Sequence, residues 1–286
     1  MLDLWRRGAK PQGSAPGSPA SQWQPDTASG RAVSSAAAAT LLLAAHPDDE
    51  ILGLGGQLAD IPDLTLIHMT DGAPRDLSAA RGAGFATRRA YAQARALELD
   101  RALAAAQVVP ARRRAFAVTD QEAIEHIPEL LVLLEAELSA AAAVITHPYE
   151  GGHPDHDACA LLVQCACEQL RRAGRPAPIR LEFASYHARD GEMASGVFWP
   201  AAGCTERVVT LDSSQLARKR AALAEFATQK EVIDRFPVSP ERLRPAPQYD
   251  FTQPPPPADV LYDRFRWRIT GESWRQRARA ALGRLQ

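Results

Sequence analysis

Lysine is almost missing from this sequence: of 33 basic residues only Lys10, Lys219 and Lys230 are lysine. The remainder are arginines, and with so much Ala and Pro beside them the pattern reads as a bias of the source genome. Charge of either sign is lacking in excess. A formal net charge of -1 supplies no long-range attraction for nucleic acid or an anionic membrane, and neither is expected as a partner. The run Arg112-Arg113-Arg114 is therefore read as a solvated surface turn, not a phosphate site. Cysteine is sparse too. Cys159, Cys165, Cys167 and Cys204 show neither C-x-x-C spacing nor a disulfide framework, and the three on one expected helix are read as buried thiols. That usage fits a reducing compartment, so a cytoplasmic location is expected. No stretch reaches the roughly eighteen apolar residues that span a bilayer. The nearest approach to a signal segment is residues 36–45, with Arg6-Arg7 far upstream. Cleavage after Ala45 would remove the first strand, so a buried strand is the preferred reading.

What is present is an ordinary globular balance over 286 residues, 46% hydrophobic and 23% charged, enough to bury a large core. Residues 1–35 are rich in Pro, Gly, Ser and Ala without an apolar period, and are expected to form a disordered N-terminal arm. A single α/β domain is expected over residues 36–286, with its core at 36–200 and a C-terminal extension at 201–286. Strands are predicted at 41–45, 64–69, 115–118, 144–146 and 179–184. Helices are predicted between them, at 50–60, 85–106, 121–141 and 154–173. This alternation implies right-handed βαβ units and a Rossmann-like, mostly parallel sheet with helices on both faces. Beyond it come a short strand at 207–211, a helix at 213–226 and a proline run, Pro254 to Pro257. A closing strand and an amphipathic helix capped by Ser273 are expected within 267–285. This extension is read as a lid or substrate wall.

Two clusters carry the chemistry. The apolar run 41–45 breaks into His46-Pro47-Asp48-Asp49-Glu50, and His153-Pro154-Asp155-His156 follows the fourth strand. With strand order 3-2-1-4-5, both lie at the carboxyl ends of neighbouring strands, at the topological switch point. A His and a carboxylate three residues apart on a tight turn can share one ion, and a third imidazole closes a catalytic set with an open position. His46, Asp49 and His156 are taken as the metal ligands. His156 is chosen over His153 because Pro154 suits the first helical turn. Such a set suits Zn2+, with Fe2+, Co2+ or Mn2+ as substitutes. Asp48 is placed to take a proton from the water that the metal activates. A protonated His153 would stabilise the oxyanion, and Asp155 would hold an imidazole N–H. Glu50 either braces the loop or competes with Asp48. Gly53, Gly55 and Gly56 lack G-x-G-x-x-G spacing and are read as close packing or room for a ligand.

These residues resemble the PIG-L/LmbE-like family of metal-dependent N-acetylglucosaminyl deacetylases, most clearly at AHPDDE (45–50) and GGHPDH (151–156). Thr70-Asp71-Gly72 and the Arg95/Glu98 pair also look like family features, while Ala106-Gln107 departs from the usual Leu-Gly. The resemblance implies zinc on His46, Asp49 and His156, Asp48 as general base, His153 at the oxyanion, and Arg95 as a substrate contact. From their positions near the crevice, Tyr149, Tyr186 and His187 are further candidates for substrate binding, and His147 stands beside them. His68 is read as a core or supporting residue, and His126 as solvated.

The expected activity is hydrolysis of an N-acetyl group from a small amino-sugar conjugate, giving free amine and acetate. The alternatives are a hydrolase of a non-sugar amide or ester, and a metal- or sugar-binding protein without turnover. Asp48 speaks against the latter, since holding a metal does not require it. Oligomeric state, homo-oligomer included, is open at this point.

Overall fold

The computed structural model describes residues 39–256 and 258–285. The expected arm at 1–35 and Pro257 lie outside them. In chain order the elements are β1 (Thr40–Ala44), α1 (Asp49–Leu54), β2 (Leu64–Pro74), α2 (Ser78–Gly82), α3 (Arg88–Ala105), β3 (Arg112–Asp120), α4 (Ile127–Leu138), β4 (Ala143–Thr146) and α5 (Pro154–Arg172). There follow β5 (Ile179–Phe183), β6 (Tyr186–Arg189), β7 (Glu192–Ser195), β8 (Arg207–Val209), α6 (Ser213–Ala224), α7 (Lys230–Ile233), β9 (Glu241–Pro245) and α8 (Gly271–Arg284).

The main sheet has the order β3-β2-β1-β4-β5-β9-β8, and β6 and β7 form a separate hairpin. Strands β1 to β5 pair in parallel, in the expected 3-2-1-4-5 order, and β9 and β8 extend the sheet antiparallel. Strand β1 is apolar without interruption because it is covered on both faces. Leu41 and Leu43 face a core built with Leu134, Leu161 and Trp274, from α4, α5 and α8. Leu42 and Ala44 face the other core, with Leu54, Leu99 and Ala222 from α1, α3 and α6. The glycine at 53 is required by packing, since a Cβ there would come within 2.2 Å of the Phe183 ring.

Several expectations need revision. The Arg112–Arg114 run is not a turn: it opens β3, an edge strand, where it is exposed and faces Asp100 and Glu137. Charged side chains on an edge discourage pairing with another chain. The helix expected at 121–141 begins with a 3-10 turn, Ala123–His126, before α4. Residues 265–270 form no strand. The cap of α8 is Thr270, with Ser273 returning a bond from the third helical position, so the capping box runs one turn earlier than Ser273 suggested.

The extension is pinned to α1 by a buried ion pair. The Lys219 ammonium donates to the Leu52 carbonyl at 2.8 Å and to Glu241 at 2.8 Å. Glu241 also accepts the Gly56 N–H and the Gln57 amide. Among the described residues no helix is long and apolar enough to cross a membrane.

Candidate metal centre

The clusters meet beyond the carboxyl ends of β1 and β4, which are hydrogen-bonded neighbours. His46 follows β1 by two residues, and His153 is the N-cap residue of α5. Pro154 opens that helix, which places His156 in its first turn. Glycine is needed at 152: a Cβ would lie 2.0 Å from the Tyr186 carbonyl oxygen, where the hairpin passes over this loop.

One oxygen of Asp49 lies 3.1 Å from Nδ1 of His46, and the other 3.3 Å from Nε2 of His156. Ligands about 2.0–2.2 Å from a tetrahedral ion stand roughly 3.3 Å apart, so Asp49 stands at ligand spacing from His46 through one oxygen and from His156 through the other. Their outward nitrogens support the same reading. His46 Nε2 is 3.3 Å from Asp155, and His156 Nδ1 is 3.1 Å from the Ser185 hydroxyl. Each ring is thereby held with one nitrogen toward Asp49, as second partners orient metal-bound imidazoles. Nε2 of His156 is buried and has no hydrogen-bond partner. The charges point the same way. Burial opposes an imidazolium at His46, but Asp120, then Asp155 and Asp49, raise its pKa well above the usual value. The carboxylates around it thus call for positive charge. Burial likewise resists ionisation of Asp49, yet His156 and His147 hold its pKa well below the usual range.

Other histidines also lie within ligand distance: the mutually close groups are His46, His153 and His156; His46, Asp120, His153 and Asp155; and Asp49, His147 and His156, so His147 and His153 are within reach as well. Their lone pairs are already in use. Nε2 of His147 accepts the Ala45 N–H at 3.0 Å, and burial pushes its pKa down to about 3. Nδ1 of His153 accepts the Asp155 N–H at 3.2 Å. His153 was expected as an imidazolium. Burial, reinforced by His46, instead holds its pKa well below the usual value, so the ring is neutral and its Nε2–H is the donor.

Asp48 is turned away from Asp49. Arg95 donates to its carboxylate at 2.8 Å and to the Pro47 carbonyl at 3.1 Å, and also to the Gly72 carbonyl. The backbone at Asp48 has φ 147°, a conformation unfavourable for any residue but glycine. Burial raises the Asp48 pKa to about 7, against the pull of Arg95. Asp155 accepts from the Gln121 and Ala123 N–H groups as well as facing His46. Glu50 is wholly buried, with one oxygen bonded to His68 at 3.0 Å and taking the Asp48 N–H, so it braces the loop.

Of the residues expected at the substrate, Tyr186 is at the cluster, its ring 5.1 Å from His156. Arg95 is 4% exposed and its two terminal nitrogens bond the loop and Asp48, which makes it a support for Asp48 in this structure. Tyr149 is not brought to the cluster. It is 1% exposed, packed among Tyr249, Phe251 and Trp274, with its hydroxyl on the Gln253 carbonyl. His187 is also fully buried, 3.2 Å from Glu150 and against Trp199. Two residues were missed. Ser185 holds His156, and Asp120, at the end of β3, lies 3.4 Å from His46 Nε2 and 3.6 Å from His153 Nε2. Its position past the third parallel strand, at the same sheet edge, was a readable signal.

Residues 41–167 match the model of the family PIG-L: GlcNAc-PI de-N-acetylase. The matched segment contains every histidine and aspartate of the cluster. No curated protein matches the chain. Among solved structures, a triple mutant of the deacetylase Orf2 from the teicoplanin biosynthetic pathway is 17% identical, with a TM-score of 0.57, over 74% of this chain and 99% of its own. The A40926 pseudoaglycone deacetylase Dbv21 is 18% identical, with a TM-score of 0.55, over 75% of this chain and 99% of its own. A zinc-inhibited form of teicoplanin deacetylase Orf2 is 15% identical, with a TM-score of 0.53, over 73% of this chain and 99% of its own. These likenesses establish the shared fold.

Proposed function

We propose that this chain is a zinc-dependent hydrolase that removes the N-acetyl group from an N-acetylglucosamine-type sugar or its conjugate, with Asp48 as general base. The observation that carries the reading is the division between adjacent aspartates: Asp49 faces His46 and His156, while Asp48 is held apart by Arg95. Zinc held by His46, Asp49 and His156 would supply a Lewis acid for the acyl carbonyl and would lower the pKa of the attacking water.

Asp48 takes the proton of the attacking water. Its raised pKa suits a base working near neutral pH, and Arg95 keeps it from collapsing onto Asp49. The neutral His153 donates its Nε2–H where negative charge develops on the acyl oxygen. Asp155 serves twice, orienting His46 with its carboxylate and His153 with its backbone N–H. The family's own printed substrate, GlcNAc-PI, supports an amino sugar as the acylated group.

Amine release from N-acetylglucosamine glycosides is the test, run with and without chelator and at stoichiometric and excess zinc. Activity that survives complete chelation, or that is retained in Asp48→Asn, would overturn the mechanism. Turnover of aryl or alkyl amides in preference to sugars would overturn the substrate class.

A further inference from the structure

The C-terminal extension reaches back over the cluster. The Leu261 N–H donates to the Gly151 carbonyl at 2.8 Å, and the Tyr262 hydroxyl donates to Asp157 at 3.2 Å. These bonds fix the strap to the loop that carries His153, and six residues past Leu261 the strap delivers Trp267. The Trp267 ring stands edge-on to His153, 4.9 Å between centroids, with Phe265 4.8 Å behind it. On the opposite side Tyr186 stands edge-on to His156, and Phe236 packs 5.6 Å from Tyr186. The His153 and His156 rings are themselves 5.3 Å apart. The reacting position is thus flanked by two aromatic walls.

An acetyl group is small and needs little room, so the bulk of the substrate must leave toward solvent. His46, Asp48, Asp49, His153 and His156 are buried, whereas Trp267 and Tyr186 keep accessible surface. The partly exposed indole of Trp267 presents an apolar surface that matches a pyranose ring, which offers C–H groups on one face.

We propose that Trp267 is a specificity-determining residue that stacks on the sugar ring beside the scissile amide, with Tyr186 as the facing wall. This rests on the deacetylase reading above, and adds the residue by which a sugar is told from a simple amide. The strap lies outside the segment 41–167 that carries the cluster.

The test compares wild type, Trp267→Phe and Trp267→Ala on an N-acetylglucosamine glycoside and on a simple N-acetyl alkylamide. Calorimetric binding of the same glycoside and circular dichroism accompany the kinetics. Trp267→Ala is expected to raise KM and Kd for the glycoside about tenfold, with kcat changed less than about threefold. KM for the alkylamide should stay unchanged. Trp267→Phe, which keeps a smaller aromatic ring, should lie between. A purely structural role would lower kcat or the folded fraction with both substrates, and that result overturns the proposal. Unchanged glycoside KM and Kd in Trp267→Ala, with wild type active, overturn it while leaving the deacetylase reading intact. If wild type fails to hydrolyse the glycoside but binds it through Trp267, the deacetylase reading falls and this one stands. No binding by wild type removes both.

Discussion

The segment 41–167 and the remainder from β5 to α8 are built on different principles. The first is a run of parallel strands and crossover helices, and it contributes every histidine and aspartate of the cluster. The second adds antiparallel edge strands, a hairpin and a strap. It contributes the Ser185 hydroxyl behind His156, the aromatic walls, and the braces Lys219–Glu241 and Arg244 with Glu150 and Glu182. The His/Asp cluster lies in one stretch, while the other packs against it and braces it from outside. Damage to the two should therefore look different.

The sharpest break is expected at the ligands. His46→Ala should abolish stoichiometric metal binding, measured by atomic absorption after dialysis, and with it activity, while the fold persists by circular dichroism. Asp48→Asn should keep its metal and lose about 10²–10⁴-fold in kcat. Its pH profile sharpens the assignment in wild type. Activity needs ionised Asp48, so kcat/KM should fall as pH drops through a limb at or below about 7, a bound cation moving it lower. No such limb should remain in the variant.

On the other side of the comparison, Lys219→Met leaves Glu241 buried without its cation. That should cost about 3–5 kcal/mol of stability, read as a lowered denaturation midpoint, with kcat per folded molecule nearly unchanged. A kcat that collapsed in the folded variant would show the two regions to be less separable than the geometry indicates. Asp155→Asn should fall between these extremes, weakening metal affinity about 10–100-fold by loosening His46 without removing a ligand.

The smallest effect concerns Glu182, on β5. Burial raises its pKa from 4.5 to about 8, opposed by Arg244 and reinforced by Glu150. The folded state thus holds this proton more tightly than the unfolded chain. Its contribution to stability is full below about pH 4.5 and is lost as pH rises through about 8. Glu182→Gln should flatten that part of the stability profile, and an unchanged slope would reject the assignment.

Much of this was legible in the chain because it is written locally. An uninterrupted apolar run declares a strand buried on both faces, and β1 is such a strand. Pro154 declares a helix start, and α5 begins there. Contacts that depend on distant segments left no local mark. Tyr149 sits four residues before His153, yet its ring belongs to the core under α8. Proximity in sequence does not set which way a side chain leaves the backbone. Ser185, Trp267 and the Lys219–Glu241 pair reach their places only through β5, β9 and the strap. Strand β9 was invisible because Glu241–Pro245, ERLRP, carries little apolar pattern. What makes it a strand is pairing with β5 and β8.

By itself, then, the sequence determined the alternation of strands and helices and the two clusters that follow the first and fourth strands, because periodicity and turn chemistry act over a few residues; the strand order was assumed, and the sheet bears it out. Only the tertiary structure decided which nitrogen of each histidine is engaged and which side chains surround the cluster. Those outcomes depend on hydrogen-bond partners and burial supplied from up to about a hundred residues away, as with Ala45 and His147 or His46 and Asp155.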